Sequence, residues 1–164
     1  MYAQTVPFLL KNLGAMAKIL TKAEAFCETR KLDKSVVLSM RTYPDMLNLT
    51  QQIQIMCDQS KGCVARLAAV EIPSHPDVEK TFEDLKARIS KVVDFIKSVD
   101  PKKFDGADTR KVTLKVGGKD VELSGIDYVN GAVWPNHYFH MATAHNLFRG
   151  IGVEIGKGDF LGRT

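Results

Sequence analysis

The stretch that decides the fold is residues 44–70, PDMLNLTQQIQIMCDQSKGCVARLAAV. Its side chains Met46, Leu49, Ile53, Met56, Ser60, Cys63, Leu67 and Val70 recur at alternating steps of three and four. A period of 3.6 residues sets such a row on one face of an α-helix. The spacing predicts a helix from Pro44-Asp45 to about Val70, capped by Asp45. Ser60 is the one polar member of the apolar row. Gly62 lies inside the helix, where it costs about 1 kcal/mol against alanine unless close packing needs it.

Working outward, Leu9, Leu13, Met16, Leu20, Ala23 and Cys27 repeat the same spacing upstream and predict a helix from Pro7 to about Arg30. Pro7 suits a first turn, where its missing N–H costs nothing. Between the two helices, Asp33 caps a short turn carrying Val36, Val37 and Leu38, expected to lid one end of the body. Downstream, Glu71 to Pro76 is a two-proline loop. The third helix follows, with Val78, Phe82, Leu85, Ile89, Val92 or Val93, and Ile96 facing in. After a polar loop from Asp100 to Arg110, residues 112–116 and 121–124 alternate around Gly117-Gly118, the pattern of a β-hairpin. Ser124 to Asp127 reads as a capping box that opens the last helix. That helix runs to about Gly150, with a kink or break expected at Pro135. The tail, 151–164, is expected to lie along the body as an irregular strap. These elements make the chain mainly all-α: an antiparallel four-helix bundle with a short β-hairpin before the last helix, one domain over residues 1–164.

The 164 residues suffice for one sizeable core, and 45% apolar with 26% charged residues is ordinary globular composition. The net charge of +4 is scattered. Its nearest approach to a cluster, Lys102, Lys103, Arg110, Lys111 and Lys115, reads as solvated loop lysines, so no nucleic-acid partner is expected. No apolar run reaches the roughly 20 residues of a membrane span, and no export signal opens the chain. Three cysteines, an odd number, then point to free thiols in a reducing, cytoplasmic setting. Cys57 and Cys63 lie roughly 240° apart around one helix and cannot pair there. Cys27 and Cys63 read as buried structural thiols, and Cys57, nearer the edge of its helix face, as the one open to reaction.

Function has to come from polar residues on apolar faces. In the last helix one sector holds Val133, His137, His140, Met141, Ala144, Leu147, Phe148 and Ile151. His137 and His140 share it at i,i+3 spacing. His145 falls off that face as a surface residue, and His75 sits in the exposed proline loop. Two core-facing histidines on a bundle helix can bind a divalent metal such as zinc or nickel. A third ligand would come from Gln59, Ser60, Cys63 or Cys57 on the second helix; Asp58 lies nearly opposite that face. The other reading is a neutral core pair satisfied by hydrogen bonds. Asp58 and Lys61 read as a solvated pair. Phosphate-loop, dinucleotide, CxxC, GxSxG and HExxH signatures are absent from the sequence. Apolar residues beyond the inner rows (Leu47, Ile55, Val64, Trp134, Tyr138 and Phe139) predict a homodimer formed by helix faces.

The ordered set Pro44-Asp45-Met46, Gln54-Ile55-Met56-Cys57-Asp58 with Lys61-Gly62, Pro135-Asn136-His137-Tyr138-Phe139-His140, and Lys157-Gly158-Asp159-Phe160-Leu161-Gly162 resembles an uncharacterised bacterial domain family of the DinB/YfiT-like superfamily. The resemblance spans essentially the whole chain and implies the DinB-like antiparallel bundle, often dimeric. It also implies, for several members, a divalent metal held by one histidine of the second helix and an HxxxH pair of the last. Some members are thiol-dependent transferases or isomerases. Here Asn136 and Ala144 stand four residues either side of His140, so no HxxxH exists, and Gln59 takes the expected ligand position of the second helix. The combined expectation is a small polar pocket of His140, Asn136, His137 and Gln59, a degenerate metal site open to a small-molecule ligand. The alternative is a divalent-metal or thiol-dependent transferase or isomerase using His137 and His140.

Overall fold

The computed structural model describes residues 1–163. Helix α1 spans Tyr2–Arg30 and begins five residues before Pro7. Thr5 Oγ1 donates to the Met1 carbonyl at 2.9 Å, and the Tyr2 ring meets Phe104 edge-on at 5.3 Å, which anchors the extra turn. Pro7 thus sits in the second turn, without an N–H for the Ala3 carbonyl. The short helix α2 (Lys34–Ser39) is capped as expected, with Asp33 accepting from the Ser35 N–H at 2.8 Å.

Helix α3 (Leu49–Ala68) starts later than its apolar row suggested. Asn48 and Gln51 form a capping box, each side chain accepting the other's backbone N–H, at 2.9 and 3.0 Å, a device worth about 1 kcal/mol. Asp45 is therefore not the cap, Met46 lies in a turn, and Val70 lies past a left-handed Ala69. Helix α4 (Phe82–Ser98) is capped the same way by Thr81 and Asp84, which leaves Val78 outside the helix and 68% exposed.

A single 3₁₀ turn (Pro101–Phe104) leads to strands β1 (Lys111–Val116) and β2 (Lys119–Ser124), antiparallel with Val112 opposite Leu123. Gly117 and Gly118 supply the two positive φ angles, 57° and 80°, of the tight turn. Ser124 caps the four-residue helix α5 (Gly125–Tyr128), where Gly125 rests on the preceding loop: a Cβ there would lie 1.8 Å from the Ala107 carbonyl oxygen. The chain then widens into a π turn (Val129–Val133) and continues as α6 (Trp134–Gly150). Pro135 neither breaks nor ends this helix. Its ring has no N–H and crowds the carbonyl four residues back, and the turn before it absorbs that by opening to i−5 bonding, Trp134 N–H to Val129 O. The tail is less irregular than expected. Val153 and Ile155 are buried, a one-turn helix α7 (Lys157–Phe160) follows, and Lys22 pairs with Asp159 at 2.5 Å. Thr164 lies outside the described residues.

The protein is thus mainly helical with one small antiparallel sheet. Helix α3 is central. It meets α1, α2, α4, α6, the 3₁₀ turn and the π turn, so it is covered on nearly every side. That is why Val64 and Cys57, placed off the inner row by the sequence, are 0% exposed. All three thiols are free and buried, Cys57 included.

Candidate functional site

His137 and His140 both face α3, and each meets a neutral polar partner there. The Gln52 amide nitrogen donates to the Leu47 carbonyl at 3.0 Å, which turns its oxygen to His140 Nδ1 at 2.7 Å. Nδ1 therefore carries the imidazole proton, and Nε2 presents a lone pair that meets no hydrogen-bond partner among the described residues. His140 is 9% exposed, and burial lowers its pKa.

One turn earlier, the Ser60 hydroxyl donates to the Met56 carbonyl at 2.8 Å and offers a lone pair to His137 Nδ1 at 3.3 Å. From α1, the Asn12 amide nitrogen donates to His137 Nε2 at 3.1 Å. Both ring nitrogens are thereby satisfied in the neutral form. Burial holds the His137 pKa down at about 4. The Trp134 ring covers His137 edge-on at 6.1 Å, and Phe139 covers His140 at 5.2 Å.

This donor set does not fit a resident divalent metal. His137 would have to give up Asn12 or Ser60 to coordinate, and Gln52, Ser60 and Asn12 are neutral, weak ligands. Among the described residues no group of three or more His, Cys, Asp or Glu could hold a metal ion. The thiols of Cys57 and Cys63 are pushed up to about 12 by burial, so neither offers a thiolate near neutral pH.

Of the residues singled out from the sequence, the structure brings His137 and His140 together and sets Asn136 and Gln59 apart. Asn136 is exposed and donates to the Ala132 carbonyl at 2.7 Å. It shares with Gln59 a separate cleft beside β1. Gln52, two turns N-terminal to Gln59, is the α3 residue that meets His140. His145 is half-buried and bonds the tail, its Nε2 3.3 Å from the Gly156 carbonyl, and its ring meets Phe160. His75 is also half-buried, with an Nδ1 that finds no partner.

Among the polar core residues that were missed are Asn12, Gln52 and Arg88. Each is in phase with its helix's apolar row (Asn12 with Leu9 and Met16, Gln52 with Leu49 and Met56, Arg88 with Leu85 and Val92), and that phase was the available signal. The Arg88 side chain is 1% exposed and reaches Asp58 at 2.8 Å, Asp77 at 2.9 Å and Glu79 at 3.0 Å, which ties the proline loop to α3 and α4. Lys61, read as a solvated partner of Asp58, is buried and joins this network at 2.9 Å.

The body is helical, with a hairpin ahead of α6 and two histidines of α6 turned toward α3. The chain is similar to a solved structure of a DinB family member from Shewanella denitrificans: 37% identity, TM-score 0.89, covering 98% of this chain and 90% of that one. It belongs to the family described as a domain of unknown function (DUF1993), which matches residues 1–161. No curated protein matches the chain. Among the described residues no helix is long and apolar enough to cross a membrane.

Proposed function

We propose that the chain is one DinB-like domain, an antiparallel four-helix bundle of α1, α3, α4 and α6, that binds a small molecule through His140 and has lost the metal chemistry of its superfamily. The carrying observation is the 2.7 Å contact between Gln52 and His140 Nδ1. It fixes the imidazole in one tautomer and leaves Nε2 as the single uncommitted base of the pair. His137 is the structural member, a neutral bridge between α1, α3 and α6. In this reading Nε2 accepts a hydrogen bond, or a proton, from a ligand at the surface of the bundle.

A second reading keeps His140 as a metal ligand, in a divalent-metal or thiol-dependent transferase or isomerase. What favours it is the same contact, since an amide or carbonyl behind Nδ1 is how ligand histidines are oriented. Calorimetric titration with zinc and nickel separates the two. We expect binding no tighter than millimolar and unchanged in His140→Leu. Tight binding lost on changing His137 and His140 would restore the metal reading and overturn ours. A homodimer and a cytoplasmic setting complete the proposal.

A further inference from the structure

Away from the histidines, a cleft of about 510 Å³ lies between α3, the π turn, α6 and β1. Gln59, Arg66, Tyr128 and Asn136 form its polar wall, with Thr113 to Val116 of β1 along the side. Neither His137 nor His140 lines it. Arg66 is its centre. The guanidinium folds back over Gly62, one turn earlier on α3, where a Cβ would stand 2.5 Å from Nη1. The helix-interior glycine, a cost of about 1 kcal/mol in propensity, is what gives Arg66 this seat. Nη1 donates to the Tyr128 hydroxyl at 3.2 Å, and the group lies 5.8 Å from the centre of that ring.

Three features set this arginine apart from the structural Arg88. It is half-buried and makes no ion pair among the described residues. No carboxylate lines the cleft, while Lys115 adds a second cation. Donors are left over as well. The Gln59 side chain has no hydrogen-bond partner among the described residues, Asn136 uses one amide hydrogen on Ala132, and the Tyr128 oxygen accepts from Arg66 while its own hydrogen stays unspent. Burial pushes the Tyr128 phenol up to about 12, so that hydrogen is retained. The π turn lies between Tyr128 and Asn136, and such turns recur at functional sites. Leu114, Val116 and Ala132 give the cleft an apolar flank.

We propose that this cleft binds a small organic anion, an apolar body bearing one carboxylate or phosphate, with its head group on Arg66 and the amides of Gln59 and Asn136. A planar guanidinium takes either head group through paired N–H donors, and a cleft of this volume is in the range of small-molecule sites.

The test uses the whole protein with benzoate and phenyl phosphate as probes and benzyl alcohol as the neutral control, followed by amide chemical shifts and calorimetry. One or both anions should bind at millimolar or tighter concentration, moving the amides of Gln59 and Thr113 to Val116; the preferred probe names the head group. Arg66→Gln should weaken binding by about tenfold or more. Lys115→Ala, at an exposed position that the fold does not need, should weaken it by a smaller factor and so keeps the test alive if the Arg66 variant fails to fold. His140→Leu should leave it unchanged, which separates this site from His140. Failure of both anions, equal binding of benzyl alcohol, or binding indifferent to both cation variants would overturn the proposal.

Discussion

At the scale of single residues the core is held partly by polar groups that could be satisfied only in one protonation state. His137 is the clearest. Asn12 donates to its Nε2, and its Nδ1–H faces Ser60, so protonation would strip away the Asn12 bond and place a charge in a dry site. Its folded pKa, about 4, lies below the ordinary 6.5. As pH falls the unfolded chain takes up this proton first. The stabilising contribution is therefore complete above pH 6.5 and is lost progressively toward pH 4, by up to roughly 3 kcal/mol. His140 and His75 are lowered in the same direction and add to that slope. His137→Phe should lower stability at pH 7 by about 1–3 kcal/mol, since the Asn12 amide loses its acceptor, and should flatten the loss between pH 6.5 and 4 without abolishing it. Urea melts of both proteins at a series of pH values read this out. An unchanged slope in the variant would mean that folding does not lower the His137 pKa.

Elements show where local sequence and tertiary packing part company. The caps of α2 and α5 and the hairpin turn were legible because each depends on a few adjacent residues: Asp33 with Ser35, Ser124 with Asp127, Gly117 with Gly118. The start of α3 was misplaced because Asp45 and Asn48 are both good caps, and only the reciprocal bond with Gln51 decides between them. The pair His137–His140 was legible from phase, whereas Gln52 as a partner was not, because it requires knowing the height at which α3 passes α6. The π turn was hidden too. Pro135 announces a disturbance, and whether it kinks the helix or widens it depends on what packs alongside. Gly125 is the element-scale test. Its lack of a side chain lets α5 seat on the Ala107 carbonyl, and the Ile126 N–H then reaches the Asp108 carbonyl at 3.0 Å. Gly125→Ala forces backbone against backbone, where no flexible side chain can give way. It should cost about 1–3 kcal/mol or more and detach the hairpin and α5 first. Hydrogen exchange should then accelerate in residues 111–128 ahead of α3. Uniform exchange, or a melting temperature equal to the parent's, would contradict this.

For the whole molecule, the question is what the remaining apolar surface does. The sequence assigned it to a dimer face drawn from both α3 and α6, but α3 is largely enclosed: Val64 is 0% exposed, Ile55 is half-buried, and Leu47, at 37%, lies in the segment just before the helix. Apart from Tyr43, between α2 and α3, the exposed aromatic residues among those described lie on α1 and α6. Phe8 is 51% exposed, Tyr138 39% and Phe139 54%, and the half-buried Trp134 links the first two, edge-on to Phe8 at 6.4 Å and stacked on Tyr138 at 5.5 Å. Gln4, Phe8, Trp134 and Tyr138 line a shallow recess there. An isolated domain gains nothing from the exposed rings of Phe8 and Tyr138 either side of Trp134, whereas a two-fold axis through that patch would cover each ring with its counterpart. Light scattering at micromolar concentration should accordingly give about twice the 18.2 kDa chain mass. Phe8→Glu with Tyr138→Glu should return the single-chain mass with the melting behaviour of a folded protein, because both side chains already reach solvent in the isolated chain. Leu47→Glu should leave the mass at the dimer value, since Leu47 lines a groove with Asn48, Gln51 and Gln54 and not the recess of Phe8, Trp134 and Tyr138. A monomeric parent would end the dimer proposal, and a dimer that survives the paired substitution would move the interface elsewhere.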